Sequence, residues 1–383
     1  MNISFSPRIS FADIRAVFRE KRETRDIVGD YLFTIDGRTA LFIAIKTLAE
    51  RTPNKKWLIP AYFCPSVHQT FIDSKVSFEY YPIGEDLQAN IEYLSNKLSS
   101  DSAVGGVLFI NYFGFAANTA PYRELIQRNG ISVVYDCAHI LFQGSSDAVC
   151  NENEAYVYSI RKWYPLPHGG VLLCRNVNRA RLLLSKCSDA KLYKQLLKYS
   201  LYSAEQYLGI NFRKYLLSFS AISKYVEQKD VAERYDILMH DNVIGYFKRI
   251  LSSAEIIRQK HRANFHYALN YFRKNKQFIP LRTHLENSEC PFVFPLMVMG
   301  LDRDFILKEC LRNKIPLRIH WTPIAASIPK STLFESSYNL ANNILCLPVH
   351  NGVTEDSLGR ICATINQVAA RPPAVSKPGE SPK

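Results

Sequence analysis

Four short apolar runs recur before residue 140: W-L-I-P at 57–60, V-S-F-E-Y-Y at 76–81, V-G-G-V-L-F-I at 104–110 and I-S-V-V-Y at 131–135. Each is too short for a helix and rich in β-branched or aromatic residues, so each reads as a buried strand. Helical stretches separate them, at Ser66 to Asp73, Asn90 to Leu98 and Pro121 to Asn129. Strands that alternate with helices at this interval need crossover connections, and crossovers give a parallel sheet. The fold class is therefore α/β, with a mainly parallel central sheet and helices on both faces. Ligands of such sheets bind beyond the carboxyl ends of the strands. Tyr62, Asn111, Asp136 and Lys162 all stand at such ends.

The stretch Tyr158 to Gly170, Y-S-I-R-K-W-Y-P-L-P-H-G-G, is the most informative of these. The apolar run A-Y-V-Y precedes it and V-L-L-C follows it, so two strands flank it. Pro165 and Pro167 exclude a helix through it. A lysine held between buried strands is costly to keep charged, and desolvation lowers its pKa. Lys162 reads either as a strand-end lysine with its ammonium in water or as a free amine able to attack a carbonyl carbon.

Asp136 follows a fully apolar strand in V-V-Y-D-C-A-H. It reads either as a helix cap or as a buried carboxylate with a chemical role beside Lys162. Such a carboxylate can keep a pyridine nitrogen protonated, which pyridoxal phosphate needs to act as an electron sink. Asp36-Gly37 makes a turn, and an apolar helix begins at Thr39. The N–H groups of Gly37, Arg38 and Thr39 open that helix, either as an ordinary start or as a phosphate site.

The formal net charge of +13 is spread diffusely and favours anionic partners. Nucleic acid is not expected, because no RNP, zinc-finger or helix-turn-helix pattern accompanies it. No apolar run is long enough to span a bilayer, and the N-terminus has no apolar core of the signal-peptide kind. Nine cysteines lie singly, without C-x-x-C, which points to free thiols in a reducing, cytoplasmic compartment and not to a zinc site. The chain also lacks a G-x-G-x-x-G after a strand, a Walker loop, G-x-S-x-G and H-E-x-x-H, so nicotinamide, nucleotide-hydrolase, serine-hydrolase and zinc-protease readings find no support.

The chain divides into an N-terminal helical arm over 1–30, a large domain over 31–250 with a helical insertion near 185–250, a small C-terminal α+β domain over 251–370 and a disordered tail over 371–383. In the arm, Phe11, Ile14, Val17 and Phe18 share helical spacing. Residues 185–265 read as helical; the basic amphipathic K-L-Y-K-Q-L-L-K-Y there suits packing inside the fold or against a partner subunit better than lying on a membrane. The small domain should hold strands C-P-F-V-F-P-L-M-V, I-P-L-R-I-H-W and I-L-C-L-P-V-H, with helices from Arg303 to Arg312 and Thr354 to Gln367.

The order G-R-T-A-L, P-A-Y, N-Y-F-G, D-C-A-H, R-K-x6-G-G, H-W-x-P, L-P-V-H resembles the DegT/DnrJ/EryC1/StrS aminotransferases over about residues 30 to 367. The most specific parts are D-x-A-H and the lysine with its following Gly-Gly. The resemblance implies a fold-type-I, pyridoxal-phosphate-dependent transaminase that moves an amino group from an amino acid, glutamate by expectation, to a keto sugar, nucleotide-linked by expectation, in polysaccharide or natural-product biosynthesis. It implies a homodimer with shared active sites.

Residue by residue, the resemblance makes Lys162 the Schiff-base lysine and proton shuttle. Asp136 becomes the partner of the pyridine nitrogen, and His139 a ring contact. Gly37, Arg38 and Thr39 become the phosphate turn, with Ser159 as an added phosphate contact. Tyr62 or Phe63 would stack on the ring, and Asn111, Tyr112 and His320 are candidate substrate contacts. Two departures stand out. Phe63-Cys64 follows P-A-Y where the family carries threonine and an aromatic. The stretch H-D-N-V-I-G-Y-F-K-R-I-L lacks the family's Asn-Tyr-Arg motif, which puts substrate and donor in question. Retention of the lysine favours transamination over the dehydration performed by relatives with histidine there. A different pyridoxal enzyme (an aminocyclitol or amino-acid transaminase, or a lyase) and a non-catalytic binding protein on the same fold are the rival readings.

Overall fold

The apolar runs form one sheet in the computed structural model, which describes residues 9–20, 27–28, 30–144, 150–208, 235–321 and 328–370. In chain order the sheet contains β1 (Ile27–Val28), β2 (Tyr31–Thr34), β3 (Lys56–Pro60), β4 (Phe78–Tyr81), β5 (Val104–Ile110), β6 (Ser132–Cys137), β7 (Glu154–Tyr158) and β8 (Gly170–Cys174). Their spatial order is β1-β2-β8-β7-β6-β5-β3-β4. From β4 to β7 every pairing is parallel, whereas β8 runs antiparallel to both of its neighbours. All residues of β5 and β8 are buried, as expected for central strands covered on both faces.

Helices α1 (Phe11–Arg19), α2 (Gly37–Ala49), α3 (Pro65–Ser74), α4 (Ile91–Ser100) and α5 (Arg123–Arg128) lie between or before these strands. α2 packs along the central strands from β2 to β8, and its apolar side chains are almost all buried. This helix is therefore held firmly by the sheet, and its N-terminus is fixed relative to the strand ends.

The N-terminal arm is helical over a shorter span than expected. A capping box on Ser10 and Asp13 starts α1, which stops at Arg19, and β1 then joins the sheet edge. Ile14 and Val17 are buried, but Phe11 and Phe18 are more than 45% exposed. The helical reading of 185–265 also needs correction. α6 (Val177–Leu182) precedes it; α7 (Asp189–Leu208), α8 (Asp241–Ile250) and α9 (Ala254–Phe272) lie in it. Residues 235–240 are extended instead, because the Ile35 N–H donates to the Ile237 carbonyl and the Met239 N–H to the Phe33 carbonyl. Tertiary pairing beside β2 overrides local helix propensity there. Part of the expected insertion, 209–234, and the tail expected at 371–383 lie outside the described residues.

A second, antiparallel sheet has the order β11-β10-β9, built from β9 (Phe278–Pro280), β10 (Val293–Val298) and β11 (Ile344–Pro348). Around it lie α10 (Arg303–Arg312), α11 (Glu335–Asn343) and α12 (Glu355–Ala369). The segment 315–321 is not the strand its composition suggests. It makes one bridge, between Arg318 and Cys346, because Pro316 has no N–H to donate and Leu317 turns its own N–H back to the Ile315 carbonyl. The polar run of α11 and the short β9 carry little apolar periodicity and are not evident in the sequence.

Asn264 of α9 ties this unit together. Its buried amide donates to the carbonyls of Val349, His350 and Val353, at 3.0, 3.3 and 3.0 Å. The H-R-A-N-F and L-P-V-H motifs are thus one structural clasp. Among the described residues all nine cysteines are free, and no helix is long and apolar enough to cross a membrane.

Candidate active site

Three parallel strands end side by side with Ile110, Asp136 and Val157 in register. Asn111 directly follows β5, Asp136 closes β6, and β7 runs into a 3-10 turn, Ile160–Lys162. That turn forms because the N–H groups of Lys162 and Trp163 donate back to Ser159 and Ile160. Trp163 and Tyr164 are buried immediately afterwards, so Lys162 is fixed at its base. A cavity of about 220 Å³ opens at these ends, lined in part by Asp136, His139, Ser159, Lys162 and Trp321.

The cavity holds an opposed pair of ionisable groups. Burial lowers the Lys162 pKa, and the charge of Asp136 works against that shift. Burial raises the Asp136 pKa, opposed by the Lys162 charge and by the Ala138 N–H, which donates to Oδ1 at 2.8 Å. Each group favours the charged form of the other while the protein around them disfavours both charges. The amine of Lys162 is therefore easier to free of its proton than a solvated lysine, and it lies 5.8 Å from the centre of the Phe292 ring.

His139 is buried beside this pair. Its Nδ1 accepts a hydrogen bond from the Phe113 N–H at 3.3 Å, which leaves the proton of the neutral ring on Nε2. Burial, then the charge of Lys162, holds its pKa well below the usual histidine range. The ring stacks on Phe292 at 4.4 Å and on Trp321 at 5.4 Å. His320 sits edge-on to His139 at 5.7 Å, and burial pushes its pKa down to about 3.

The N-Y-F-G motif is a structural junction. Asn111 Nδ2 donates to the Asp136 carbonyl and the Cys137 sulfur, and its Oδ1 accepts from the Ala117 N–H. Asn111 lines the cavity, and its side chain also holds the end of β6. Tyr112 is buried, with its hydroxyl donating to the Tyr62 carbonyl, and does not line the cavity. The Phe292 N–H donates to the Phe113 carbonyl at 2.7 Å, and the Cys290 carbonyl packs where a side chain at Gly114 would stand. This contact brings Phe292 from the second sheet to the Lys162 site.

The other wall is the start of α2. Asp36 caps it, accepting from the Thr39 N–H at 2.9 Å, so the Thr39 amide is already used and Thr39 lies outside the cavity lining. Asp36, Gly37 and Arg38 do line it, with Arg38 3.9 Å from the Asp36 carboxylate. Gly37, the first helical residue, has no N–H acceptor within the helix. β8 begins hard against this turn: a Cβ on Gly170 would lie 2.3 Å from the Asp36 carbonyl carbon and oxygen, and 2.7 Å from the Gly37 nitrogen. The Gly-Gly after the lysine therefore permits the close approach of β8 to the helix start.

Tyr62 and Phe63 are buried away from the cavity; Phe63 stacks on Tyr80 at 5.8 Å. Cys64 and Ser66 line the cavity next to them, with Sγ and Oγ 3.1 Å apart. The rings that do face the cavity are His139 and Trp321. Cys64, Ser66, Arg161 and Trp321 are cavity residues that sequence reasoning did not select. Trp321 had a usable signal in its H-W-x-P context, and Arg161 in its place beside Lys162. Cys64 and Ser66 had none beyond the odd Phe63-Cys64 pair.

No protein-family model matches the chain, and no curated protein sequence does. Solved structures do. A protein of Streptococcus pneumoniae assigned as a sugar aminotransferase, in its PLP form, matches with a TM-score of 0.70 and 15% identity over 96% of this chain and 99% of that one. PseC of Helicobacter pylori, an aminotransferase involved in pseudoaminic acid biosynthesis, matches with a TM-score of 0.69 and 14% identity over 96% and 99%. A sugar aminotransferase of Micromonospora echinospora matches with a TM-score of 0.65 and 17% identity over 96% and 100%. The chain has the fold of these aminotransferases. The mixed eight-stranded sheet with its small antiparallel companion is thus the fold-type-I architecture, along essentially the whole length of both chains.

The cavity side chains suit pyridoxal phosphate: a half-buried amine for its carbonyl, a half-buried carboxylate for its ring nitrogen, and a helix start with a nearby serine for its phosphate. Asp36 is the one discordant group at the phosphate end, and Arg38 beside it offsets its charge.

Proposed function

We propose that this chain is a pyridoxal-phosphate-dependent aminotransferase that moves an amino group from an amino acid, glutamate in our reading, to a keto sugar carried on a nucleotide. The observation that carries the proposal is the pairing of Lys162 with Asp136 at adjacent strand ends, in one cavity, on the fold shared with sugar aminotransferases. The cofactor, when bound, supplies the electron sink for carbanion chemistry.

The chain's own residues supply the rest. Lys162 Nζ would hold the cofactor at its carbonyl carbon and, once released by the incoming amine, would carry a proton between substrate atoms as a general acid and base. Asp136 keeps the proton on the ring nitrogen, fixed by the Ala138 N–H and by Asn111 behind it. His139, with its neutral ring, and Trp321 line the cavity and would contact the bound cofactor. Ser159, with the Gly37 and Arg38 amides, receives the phosphate. We place the large and small units on either side of residue 250, and we read the enzyme as a cytoplasmic homodimer serving polysaccharide or natural-product biosynthesis.

The test is a visible absorption spectrum of the purified protein beside Lys162→Ala. The expected result is a yellow protein whose band is replaced on adding glutamate, with the band lost or altered in the variant. A colourless protein that cannot be reconstituted with pyridoxal phosphate refutes the proposal.

A further inference from the structure

Among the described residues, the charges that line the cavity do not balance. Asp136 faces Lys162, and Asp36 lies 3.9 Å from Arg38. Arg161 is the remaining charged residue of the lining. It is exposed, and among the described residues it makes no ion pair. Its backbone is tied down by a bond from its N–H to the Gly169 carbonyl at 3.4 Å.

Its position is set by the chemistry next to it. Arg161 sits in the same 3-10 turn as Lys162, so the rigidity that fixes the lysine also fixes the start of this side chain. The guanidinium is close enough for its charge to act on the Lys162 amine, in the direction that disfavours a second positive charge. A cation at that place repels the protonated lysine and attracts an anion. Guanidinium is also the side chain best shaped to grip a carboxylate or phosphate with two parallel hydrogen bonds.

We propose that Arg161 is the substrate-anion receptor of this cavity, selecting molecules that bring a carboxylate or phosphate to the Lys162 amine. The inference rests on the aminotransferase reading for the chemistry that follows binding, but the binding itself can be measured apart from it. Both substrates of that reading carry such a group: the amino donor a carboxylate, the nucleotide-linked acceptor a diphosphate. The receptor would be supplied by the same turn as the reactive amine, which fixes the distance between the bound anion and the reacting carbon.

The experiment is calorimetric titration of glutamate, UDP and uridine into the wild type, Arg161→Gln and Arg161→Lys, with and without pyridoxal phosphate. Loss of one charge-assisted, bidentate contact should weaken an anion roughly 10- to 100-fold. The expected result is such a loss for at least one anion in Arg161→Gln, with part of it recovered in Arg161→Lys and uridine changed less than about two-fold. A loss confined to glutamate identifies the donor carboxylate as the recognised group, and a loss confined to UDP identifies the acceptor phosphate. The proposal is overturned if both anions bind Arg161→Gln as they bind the wild type, or if neither binds the wild type. It is also overturned if the substitution weakens pyridoxal phosphate alone, which would make Arg161 a cofactor ligand. A wild type that never becomes yellow counts against the aminotransferase reading, and the titrations without cofactor still decide the role of Arg161.

Discussion

Gly170→Ala is the sharpest test of the architecture around the Lys162 site. The added methyl would lie 2.3 Å from the carbonyl carbon and oxygen of Asp36 and 2.7 Å from the Gly37 nitrogen. Ordinary contact lies about 1 Å further out. The obstructing atoms are backbone, so no side-chain rotation relieves the overlap. Either β8 or the first turn of α2 must move by about that distance. β8 is hydrogen-bonded on both edges, to β2 and to β7, and α2 is buried along the sheet, so neither moves cheaply. Overpacking of this kind costs about 3 kcal/mol, at the upper end of the usual range because the clash is with main chain. That corresponds to roughly a 100-fold loss in the folding equilibrium. The assay is urea unfolding of the cofactor-free protein, followed by pyridoxal phosphate titration of whatever remains folded. The midpoint should fall clearly, and the folded fraction should bind the phosphate end poorly, because the displaced atoms are Asp36 and Gly37. A variant that unfolds with the wild type and binds the cofactor equally well refutes the reasoning about this contact.

Two further outcomes follow from the electrostatics. Asp136→Asn removes the charge that supports the Lys162 ammonium, so the amine should become reactive at lower pH; labelling by dinitrofluorobenzene across pH, read by peptide mass spectrometry at Lys162, checks this, and an unchanged or raised midpoint contradicts it. His168 is buried and neutral, accepting from the His240 N–H at 3.2 Å while its Nδ1 meets Gln195 at 2.5 Å, and burial lowers its pKa to about 4. An unfolded histidine gains its proton near pH 6.5, so the folded state loses stability as pH falls from there and levels off near pH 4. Between pH 7 and pH 5 that histidine alone should cost about 2 kcal/mol. His168→Gln should flatten this part of the pH profile of urea unfolding, and an equally steep profile in the variant removes His168 as its source.

Much of the fold was legible because its signals are local. The runs ending at Pro60, Tyr81, Ile110 and Tyr135 are strands for the reason their composition gives, and α2, α3 and α4 begin within a residue or two of the expected positions. The extended stretch 235–240 and the single bridge at Arg318 were not legible, since their conformations depend on distant partners, Phe33 and Ile35 in one case and Cys346 in the other. The site divides in the same way. Lys162 and Asp136 could be picked out because a charged residue directly after an apolar strand is conspicuous. Asn111 and Tyr112 looked equally conspicuous, yet their polar groups are spent on Asp136, Cys137 and Tyr62.

By itself the sequence determined the alternation of strands and helices, the strand-end chemistry, and the glycines that later allow close approach. Periodicity and residue type carry that information within a short window, without reference to the rest of the chain. Only the tertiary structure decided which of the suspicious residues share one cavity, that Phe292 and Trp321 from the C-terminal part stack with His139, and that Arg161 stands there without a carboxylate partner among the described residues. Those facts depend on distances between elements far apart in sequence, and on the burial that sets the proton affinities of Lys162 and Asp136, which no local pattern encodes.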